Sequence, residues 1–129
     1  MAALQEQGFK LTDNGWEFGL SDKVLFSSHV GKLNPQGVQT VEKIGRALKA
    51  VDINHIRLNG HTDSMGEDSY NDRLSYGRAS AVADTLATIG MPRANIDVRG
   101  LGKLNPVADN HTAKGRAENR RVAMIVTAP

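Results

Sequence analysis

The sequence predicts an α/β sandwich, a fold in which helices pack on a sheet. Segments with apolar residues at helical spacing alternate with short segments of strand character, in the order β-α-β-α-β-α-β, and an additional β segment precedes them. The 129 residues are 40% hydrophobic and 23% charged, which is ordinary for one globular domain, and no linker, repeat or low-complexity tract divides them. We therefore expect one domain built around a single core.

The first predicted β structure spans residues 9–26. Asn14-Gly15 is a strong signal for a tight turn between two strands. A further short strand, or an extension of the returning strand, is predicted at residues 24–26, and residues 27–33 are expected to form a loop. The large apolar residues that alternate on one face of the returning strand are Trp16, Phe18 and Leu20.

Two long helices follow. Asn34 and Pro35 open the first, because Asn is a favoured N-cap and Pro fits the first helical position. Asp68 or Ser69 can cap the second, which ends at Gly90. The apolar stripes that face the core are Val38, Val41, Ile44, Leu48 and Val51 in the first helix, and Ala79, Val82, Ala83, Leu86 and Ile89 in the second.

Three further strands and a short helix complete the predicted fold. Residues 55–59 alternate as a strand, and residues 96–99 form the next one, which is closed by Gly100-Leu101-Gly102. Thr112 can cap a short helix before the last strand. Residues 122–127 are mostly apolar, so this strand is expected at the centre of the sheet.

Composition excludes several classes of function. There are no cysteines, so disulfides, thiol catalysis and cysteine-based metal centres are excluded. The net charge of +2 is too weak to indicate a nucleic-acid partner. No apolar run approaches the roughly 18–20 residues that cross a bilayer. The first residues show no signal peptide, so we expect either a cytosolic protein or a chain that begins after an export signal.

Residues 60–79 combine the features of a binding site. They run from the end of a strand through a polar loop into a helix, and the free backbone N–H groups at a helix start favour anions. Asn71, Leu74 and Arg78 are spaced at i, i+3 and i+7, so they share one face of this helix. Arg78 would emerge beside the apolar stripe, where a charge needs a partner.

Two interpretations of this segment remain open. In the first, Asp63 caps the loop, and Arg78 forms a structural ion pair with Asp63 or Asp68. In the second, Asp63 and Arg78 form a clamp for a zwitterion. The carboxylate would then take an ammonium group, and the planar guanidinium would take a carboxylate through two parallel hydrogen bonds.

Other chemistry finds little support in the sequence. His61 and Asp63 form an H-x-D pair, but the four histidines lie on different predicted elements without metal-ligand spacing. No serine lies in a nucleophile motif. We therefore expect no metal, no cofactor and no catalytic residue. Arg120 and Arg121 enter the last strand with side chains on opposite faces, so at most one of them can serve a shared pocket.

Six short motifs stand at fitting spacings between residues 24 and 127. They are Gly60-His61-Thr62-Asp63, Asn71 with Leu74-Ser75, Arg78-Ala79, Gly100-Leu101-Gly102, Asn105-Pro106 and Asn119-Arg120-Arg121-Val122. In order and spacing they resemble the OmpA-like C-terminal domain. The resemblance implies a mixed four-stranded sheet with helices packed on it, and it identifies residues 24–129 as a peptidoglycan-binding domain.

The resemblance also implies a ligand and its site. The ligand is peptidoglycan, held through the meso-diaminopimelate of the stem peptide, whose side-chain end carries an ammonium and a carboxylate on one carbon. Asp63 and Arg78 match the two residues of the family that contact diaminopimelate. Many relatives read Leu-Ser-x-Arg-Arg-Ala, whereas here Gly77 precedes Arg78, and a glycine inside a helix costs about 1 kcal/mol. The further binding positions are Phe26, Ser27, Ser28, Gly66, Asn71 and Leu74.

Residues 1–23 are predicted to form an N-terminal segment with a partner-binding or regulatory role. They resemble the corresponding segment of one group of outer-membrane lipoproteins in the family, which sequester a periplasmic repressor and thereby release a diguanylate cyclase. By this resemblance Leu4, Phe9 and Trp16 bind the partner, and exposed Phe9 and Trp16 would mark its surface. The alternative is that Trp16 is a core residue of the β segment.

The same resemblance implies a location at the periplasmic face of the outer membrane, with a lipid anchor outside this sequence as the membrane attachment. Two other functions remain as alternatives. One is a purely structural wall anchor without a protein partner. The other is a wall hydrolase, against which the predicted pocket offers neither an activated nucleophile nor metal ligands. Whether the chain forms a homodimer stays open.

Overall fold

The structure is a computed structural model that describes residues 2–26, 32–104 and 106–126. The strands are β1 (Lys10–Thr12), β2 (Gly15–Ser21), β3 (Ile56–His61), β4 (Ile96–Gly100) and β5 (Arg121–Val126), and the helices are α1 (Ala2–Glu6), α2 (Asp22–Leu25), α3 (Pro35–Ala50), α4 (Asp68–Thr88) and α5 (Ala113–Asn119), with a 3₁₀ turn at Arg93–Asn95. The order across the sheet is β1-β2-β5-β3-β4, in which β3 and β4 are parallel and the other neighbours are antiparallel. The predicted sandwich with a mixed sheet and a central last strand is confirmed.

The sheet has five strands where four were expected, because both strands of the N-terminal hairpin belong to it and residues 24–26 do not. β1 and β2 are joined by a tight turn, and β2 pairs with β5 from Trp16 opposite Val126 to Ser21 opposite Arg121. Residues 2–23 are therefore structurally continuous with the rest of the domain.

The strand predicted at residues 24–26 is wrong. Asp22 starts the helical turn α2 instead, and the N–H of Phe26 donates to the Asp22 carbonyl at 2.8 Å. Leu25 and Phe26 are both buried although they are consecutive. A strand would place consecutive side chains on opposite faces, whereas a turn of helix can turn both toward the core.

The two long helices follow the predicted pattern with two corrections. Val51 was predicted to face the core but is exposed, because it is the C-cap residue that follows α3. The Asn34 side chain caps α3 by accepting from the N–H of Gly37 at 2.6 Å. The N-cap of α4 is Glu67, without a side-chain capping bond, so the prediction of Asp68 or Ser69 is wrong. The stripes of α3 and α4 share one core with alternate residues of β5, namely Val122, Met124 and Val126.

Two glycines allow α4 to lie directly on the ends of β3 and β4. A β-carbon on Gly60 would overlap the carbonyl oxygen of Ser75, and one on Gly100 would lie 2.7 Å from the carbonyl oxygen of Asp72. Real β-carbons do not approach backbone this closely, so these glycines permit the contact. The first half of α4 is thereby held against the loop that follows β3.

The N-terminal aromatic residues pack on the domain. Leu4 and Phe9 are 1% and 2% exposed, and the Phe9 and Phe18 rings lie 5.4 Å apart. Trp16 is half-buried against the same core. Exposure of Phe9 and Trp16, which would have marked a partner surface, is not observed, because both residues lie on the core side of the sheet. Whether the segment binds a partner stays a prediction.

Candidate functional site

A cleft of about 380 Å³ opens where the loop after β3 meets α4. The end of β3 contributes one wall, the first turns of α4 contribute another, and the starts of α2 and β5 close the cleft. Its lining residues are Asp22, His61, Thr62, Asp63, Met65, Tyr70, Asn71, Leu74, Arg78 and Arg120.

Asp63 lies at the base of the cleft and is 8% exposed. One carboxylate oxygen accepts from the N–H of Met65 at 2.9 Å, which shapes the loop as expected of a capping aspartate. The other oxygen accepts from Nη1 of Arg120 at 2.6 Å. A buried carboxylate needs such partners because burial penalises its charge.

Arg78 faces the same cleft from α4 and is 7% exposed. Its Nη1 pairs with Asp22, and its guanidinium lies over the Phe26 ring with 4.6 Å between the central carbon and the ring centroid. Burial lowers the pKa of Arg78 from its ordinary value, and the positive charge of Arg120 lowers it further. The side chain nevertheless stays charged, since arginine does not lose its proton in proteins.

The hydrogen bonds of Arg78 are incomplete within the described part of the chain. Its Nε is buried and has no hydrogen-bond partner there. A buried donor without an acceptor costs roughly 1–3 kcal/mol, so this group is a place where an added acceptor would be favourable.

The ion pairs differ from the structural pairing considered from the sequence. Arg78 pairs with Asp22 rather than with Asp63 or Asp68, and Asp68 instead pairs with Lys103 at 2.8 Å. The interpretation of a direct ion pair between Arg78 and Asp63 or Asp68 is therefore wrong. The reason is that α2 brings Asp22 to Arg78, and the turn between α5 and β5 brings Arg120 to Asp63.

The other expected binding residues occupy distinct places. Asn71 is buried, and its Nδ2 donates to the Met65 carbonyl at 2.8 Å, which ties the loop to the helix. Leu74 lines the cleft beside it, as the helical spacing predicts. Gly66 lies in the exposed loop with a φ of +88°, a conformation that favours glycine. Phe26 lies against Arg78, whereas Ser27 and Ser28 fall outside the described residues.

Sequence reasoning missed Asp22 and only half-identified Arg120. The opposite faces of Arg120 and Arg121 predicted that one of them could reach a shared pocket, and Arg120 is that residue. Arg121 lies on the other face of the sheet, where burial lowers its pKa and the nearby charge of Glu17 opposes that shift. No sequence signal identified Asp22, since its partner lies far along the chain.

His61 borders the cleft but stays neutral. Its Nδ1 lies 3.2 Å from the Leu104 carbonyl, and because a carbonyl only accepts, Nδ1 carries the proton. Burial is the main cause that lowers the pKa of His61 from 6.5 to about 4, and the charge of Arg121 adds to it. Among residues 2–26, 32–104 and 106–126, no three metal-ligating side chains cluster together.

No helix within the described ranges has the length and apolar character that a membrane span requires.

Comparison with known proteins gives consistent matches. The model of the OmpA family matches residues 25–120. The chain is 59% identical over 128 residues to the outer-membrane lipoprotein YfiB of Pseudomonas aeruginosa, and the match covers 99% of this chain and 76% of that protein.

Solved structures show the same fold. The cell wall anchor of the T6SS from Pseudomonas aeruginosa aligns with a TM-score of 0.79 at 28% identity, covering 99% of this chain and 93% of that one. The peptidoglycan-associated lipoprotein from Burkholderia pseudomallei aligns with a TM-score of 0.69 at 31% identity, covering 79% of this chain and 86% of that one. From its sequence and its fold, the chain belongs to the OmpA family.

Proposed function

We propose that this chain binds peptidoglycan without catalysis, by holding the meso-diaminopimelate of the stem peptide in the cleft. The observation that carries the proposal is the presence of a buried carboxylate, Asp63, and a buried guanidinium, Arg78, in one cleft. The names of the relatives add support, since one is a peptidoglycan-associated lipoprotein and another is a cell wall anchor.

The ligand and the cleft are complementary in charge. The free end of meso-diaminopimelate carries an ammonium and a carboxylate on one carbon. Asp63 accepts hydrogen bonds from the ammonium, and the planar guanidinium of Arg78 donates two parallel hydrogen bonds to the carboxylate. The unpartnered Nε of Arg78 provides a donor for that carboxylate. Met65, Tyr70 and Leu74 supply apolar walls for the methylene chain of the ligand.

Binding rather than turnover fits the chemistry of the cleft. Asp22 and Asp63 each form an ion pair with an arginine, so neither carboxylate of the cleft stands free to act on a bound ligand. His61 is buried and hydrogen-bonded to a backbone carbonyl, and the lining residues include neither a serine nor a second histidine. Release of products from a purified muropeptide would contradict this part of the proposal.

Calorimetry with a diaminopimelate-containing muropeptide tests the proposal. Asp63→Ala should weaken binding by about 2–4 kcal/mol, because the ligand ammonium then lacks its partner in a desolvated cleft. Arg78→Lys should also bind poorly, since a point charge cannot reproduce the planar fork.

The matched controls are Asp97→Ala and Arg57→Lys, which alter an ion pair of 3.3 Å on β3 and β4 outside the cleft. Both controls should retain wild-type affinity. Wild-type affinity in either cleft variant, with folding verified by its melting temperature, would refute the clamp.

We propose further that the natural protein is an outer-membrane lipoprotein and that this domain faces the periplasm. The relative that supports this is named an outer-membrane lipoprotein, and its similarity extends over the N-terminal segment that precedes the OmpA family match at residue 25. A lipid anchor on the natural chain would then be the membrane attachment.

The same similarity supports a signalling role. In this proposal the chain sequesters the periplasmic repressor YfiR and so activates the diguanylate cyclase YfiN, which raises cyclic-di-GMP. Leu4, Phe9 and Trp16 would form the binding segment, which rests on the domain until YfiR captures it. Trp16 is the most accessible of the three, whereas Leu4 and Phe9 would have to leave the core.

Trp16→Ala separates this role from the alternatives. The proposal predicts weaker YfiR binding by the folded variant, with muropeptide binding nearly unchanged. A melting temperature lowered by many degrees would show that Trp16 acts as a core residue. Absence of YfiR binding by the wild-type chain would leave a purely structural wall anchor.

A further inference from the structure

The two binding charges of the cleft already have partners within the chain. Asp22 pairs with Arg78, which is the group proposed to hold the ligand carboxylate. Arg120 pairs with Asp63, which is the group proposed to hold the ligand ammonium. Each internal partner therefore has the same charge as the ligand group that would take its place.

The internal partners are held in position by the backbone. The N–H of Asp22 donates to the Arg120 carbonyl at 3.0 Å, so the two residues lie side by side at the mouth of the cleft. The N–H of Phe26 donates back to the Asp22 carbonyl, which closes the turn of α2 and orients Asp22. The start of α2 and the start of β5 thus deliver an anion and a cation to one cleft.

Exposure differs between the binding charges and their partners. The side chains of Arg78 and Asp63 are 9% and 11% exposed, whereas those of Asp22 and Arg120 are 19% and 43% exposed. The more exposed partner of each pair can turn toward water at a lower cost in free energy, because hydration of its charge replaces the lost ion pair. Arg78 and Asp63 have no such alternative, so they stay where a ligand can reach them.

We propose that Asp22 and Arg120 are specificity-determining residues, which act as internal counterions that the ligand must displace. A ligand with only a carboxylate replaces Asp22 at Arg78 and gains little, because one ion pair is exchanged for another. A ligand with both charges on one carbon replaces both pairs while losing its translational freedom only once. The cleft thereby rejects simple carboxylates and simple amines, by competition rather than by shape. This inference rests on the proposed function of the same cleft.

Calorimetry with three stem peptides separates the effect of Asp22 on carboxylate binding from the effect of Arg120 on ammonium binding. The first contains meso-diaminopimelate, the second contains lysine in its place and lacks the distal carboxylate, and the third contains 2-aminopimelate and lacks the distal ammonium. Asp22→Asn should raise affinity for the 2-aminopimelate peptide by about three- to tenfold, because Arg78 loses its internal competitor. Arg120→Gln should raise affinity for the lysine peptide by a similar factor, because Asp63 loses its internal competitor.

The inference is tested by comparing the affinities of each variant for the three peptides. Asp22→Asn should gain more affinity for the 2-aminopimelate peptide than for the lysine peptide, and Arg120→Gln should do the reverse. In both variants, the preference for the diaminopimelate peptide over the single-charge peptides should be smaller than in the wild-type chain. Asp97→Asn and Arg57→Gln are matched controls outside the cleft, and they should leave all three affinities unchanged. Asp22→Asn leaves a buried arginine without its partner, so Arg120→Gln serves as the second variant if the first folds poorly.

Unchanged or weaker binding of the single-charge peptides by both variants would overturn the inference, since Asp22 and Arg120 would then be positioning residues or bystanders. Failure of the proposed function would look different. In that case the wild-type chain would not bind the diaminopimelate peptide, and Asp63→Ala would change nothing.

Discussion

The cleft and the N-terminal hairpin bury opposite kinds of surface in one small domain. The cleft buries a carboxylate and a guanidinium, whereas the N-terminal segment packs Leu4 of α1 and Phe9, which precedes β1, into the apolar core. Burial of apolar surface stabilises the fold, and burial of charge costs free energy unless the charge is paired. We therefore expect substitutions in the N-terminal segment to affect stability first, and substitutions in the cleft to affect binding first.

Phe9→Ala gives the largest expected effect on stability. Phe9 is fully enclosed and contacts the Phe18 ring, so its truncation should lower the free energy of unfolding by about 3–5 kcal/mol. Urea unfolding measures the loss, and calorimetry on the folded protein should show unchanged muropeptide affinity. Leu11→Ala is the control, because Leu11 lies on the same hairpin but is 69% exposed. Equal stabilities of the two variants would mean that the hairpin does not contribute to the core.

The buried His61 should make the free energy of unfolding sensitive to acid. Its pKa is about 4 in the folded chain and near 6.5 when exposed, so between these values the unfolded chain binds a proton that the folded chain does not. The contribution of neutral His61 to the free energy of unfolding is therefore fully present above pH 6.5 and decreases as the pH falls toward 4.

Urea midpoints at pH 7 and pH 5 test this contribution. His61→Gln should lose less stability between the two pH values than the wild-type chain does. His111→Gln is the control, since His111 is exposed, and it should keep the wild-type dependence. The same dependence in all three proteins would contradict a neutral buried His61.

Gly77→Ala should give a small gain. Nothing lies within 4 Å of a β-carbon at this exposed position, and α4 runs through it without interruption. Alanine in place of glycine within a helix is worth roughly 0.5–1 kcal/mol, so the melting temperature should rise while binding by the neighbouring Arg78 is retained. Gly100→Ala should do the reverse, because its β-carbon would press on the backbone of α4. A destabilised Gly77→Ala variant would show a constraint that this fold does not explain.

Local signals predicted most of the fold. The Asn34 cap and the apolar stripes identified α3 and α4, and the apolar last strand identified the centre of the sheet. The error at residues 24–26 arose because three apolar residues are too few to show either a helical or a strand period. The hairpin strands β1 and β2 were missed as sheet members, because the pairing of β2 with β5 joins segments far apart in sequence.

Only the site residues that lie close together in sequence could be predicted from their spacing. The positions of Asn71, Leu74 and Arg78 on one helix face put all three in the cleft. The partners of the charges could not be predicted in the same way, because Asp22 and Arg120 come from elements distant in sequence. Contacts of this kind depend on how strands pair across the sheet, and no spacing along the chain encodes them.

In the proposed function, the cleft holds both charges of diaminopimelate at once. The most direct test is calorimetry of the wild-type chain with two muropeptides that differ only in meso-diaminopimelate or lysine at the same position. We expect the lysine form to bind more weakly by about 1.5–3 kcal/mol, the value of hydrogen bonds to a charged group. We also expect that Arg78→Lys no longer distinguishes the two forms. Equal affinities of the wild-type chain for both muropeptides would contradict binding of both charges in the cleft.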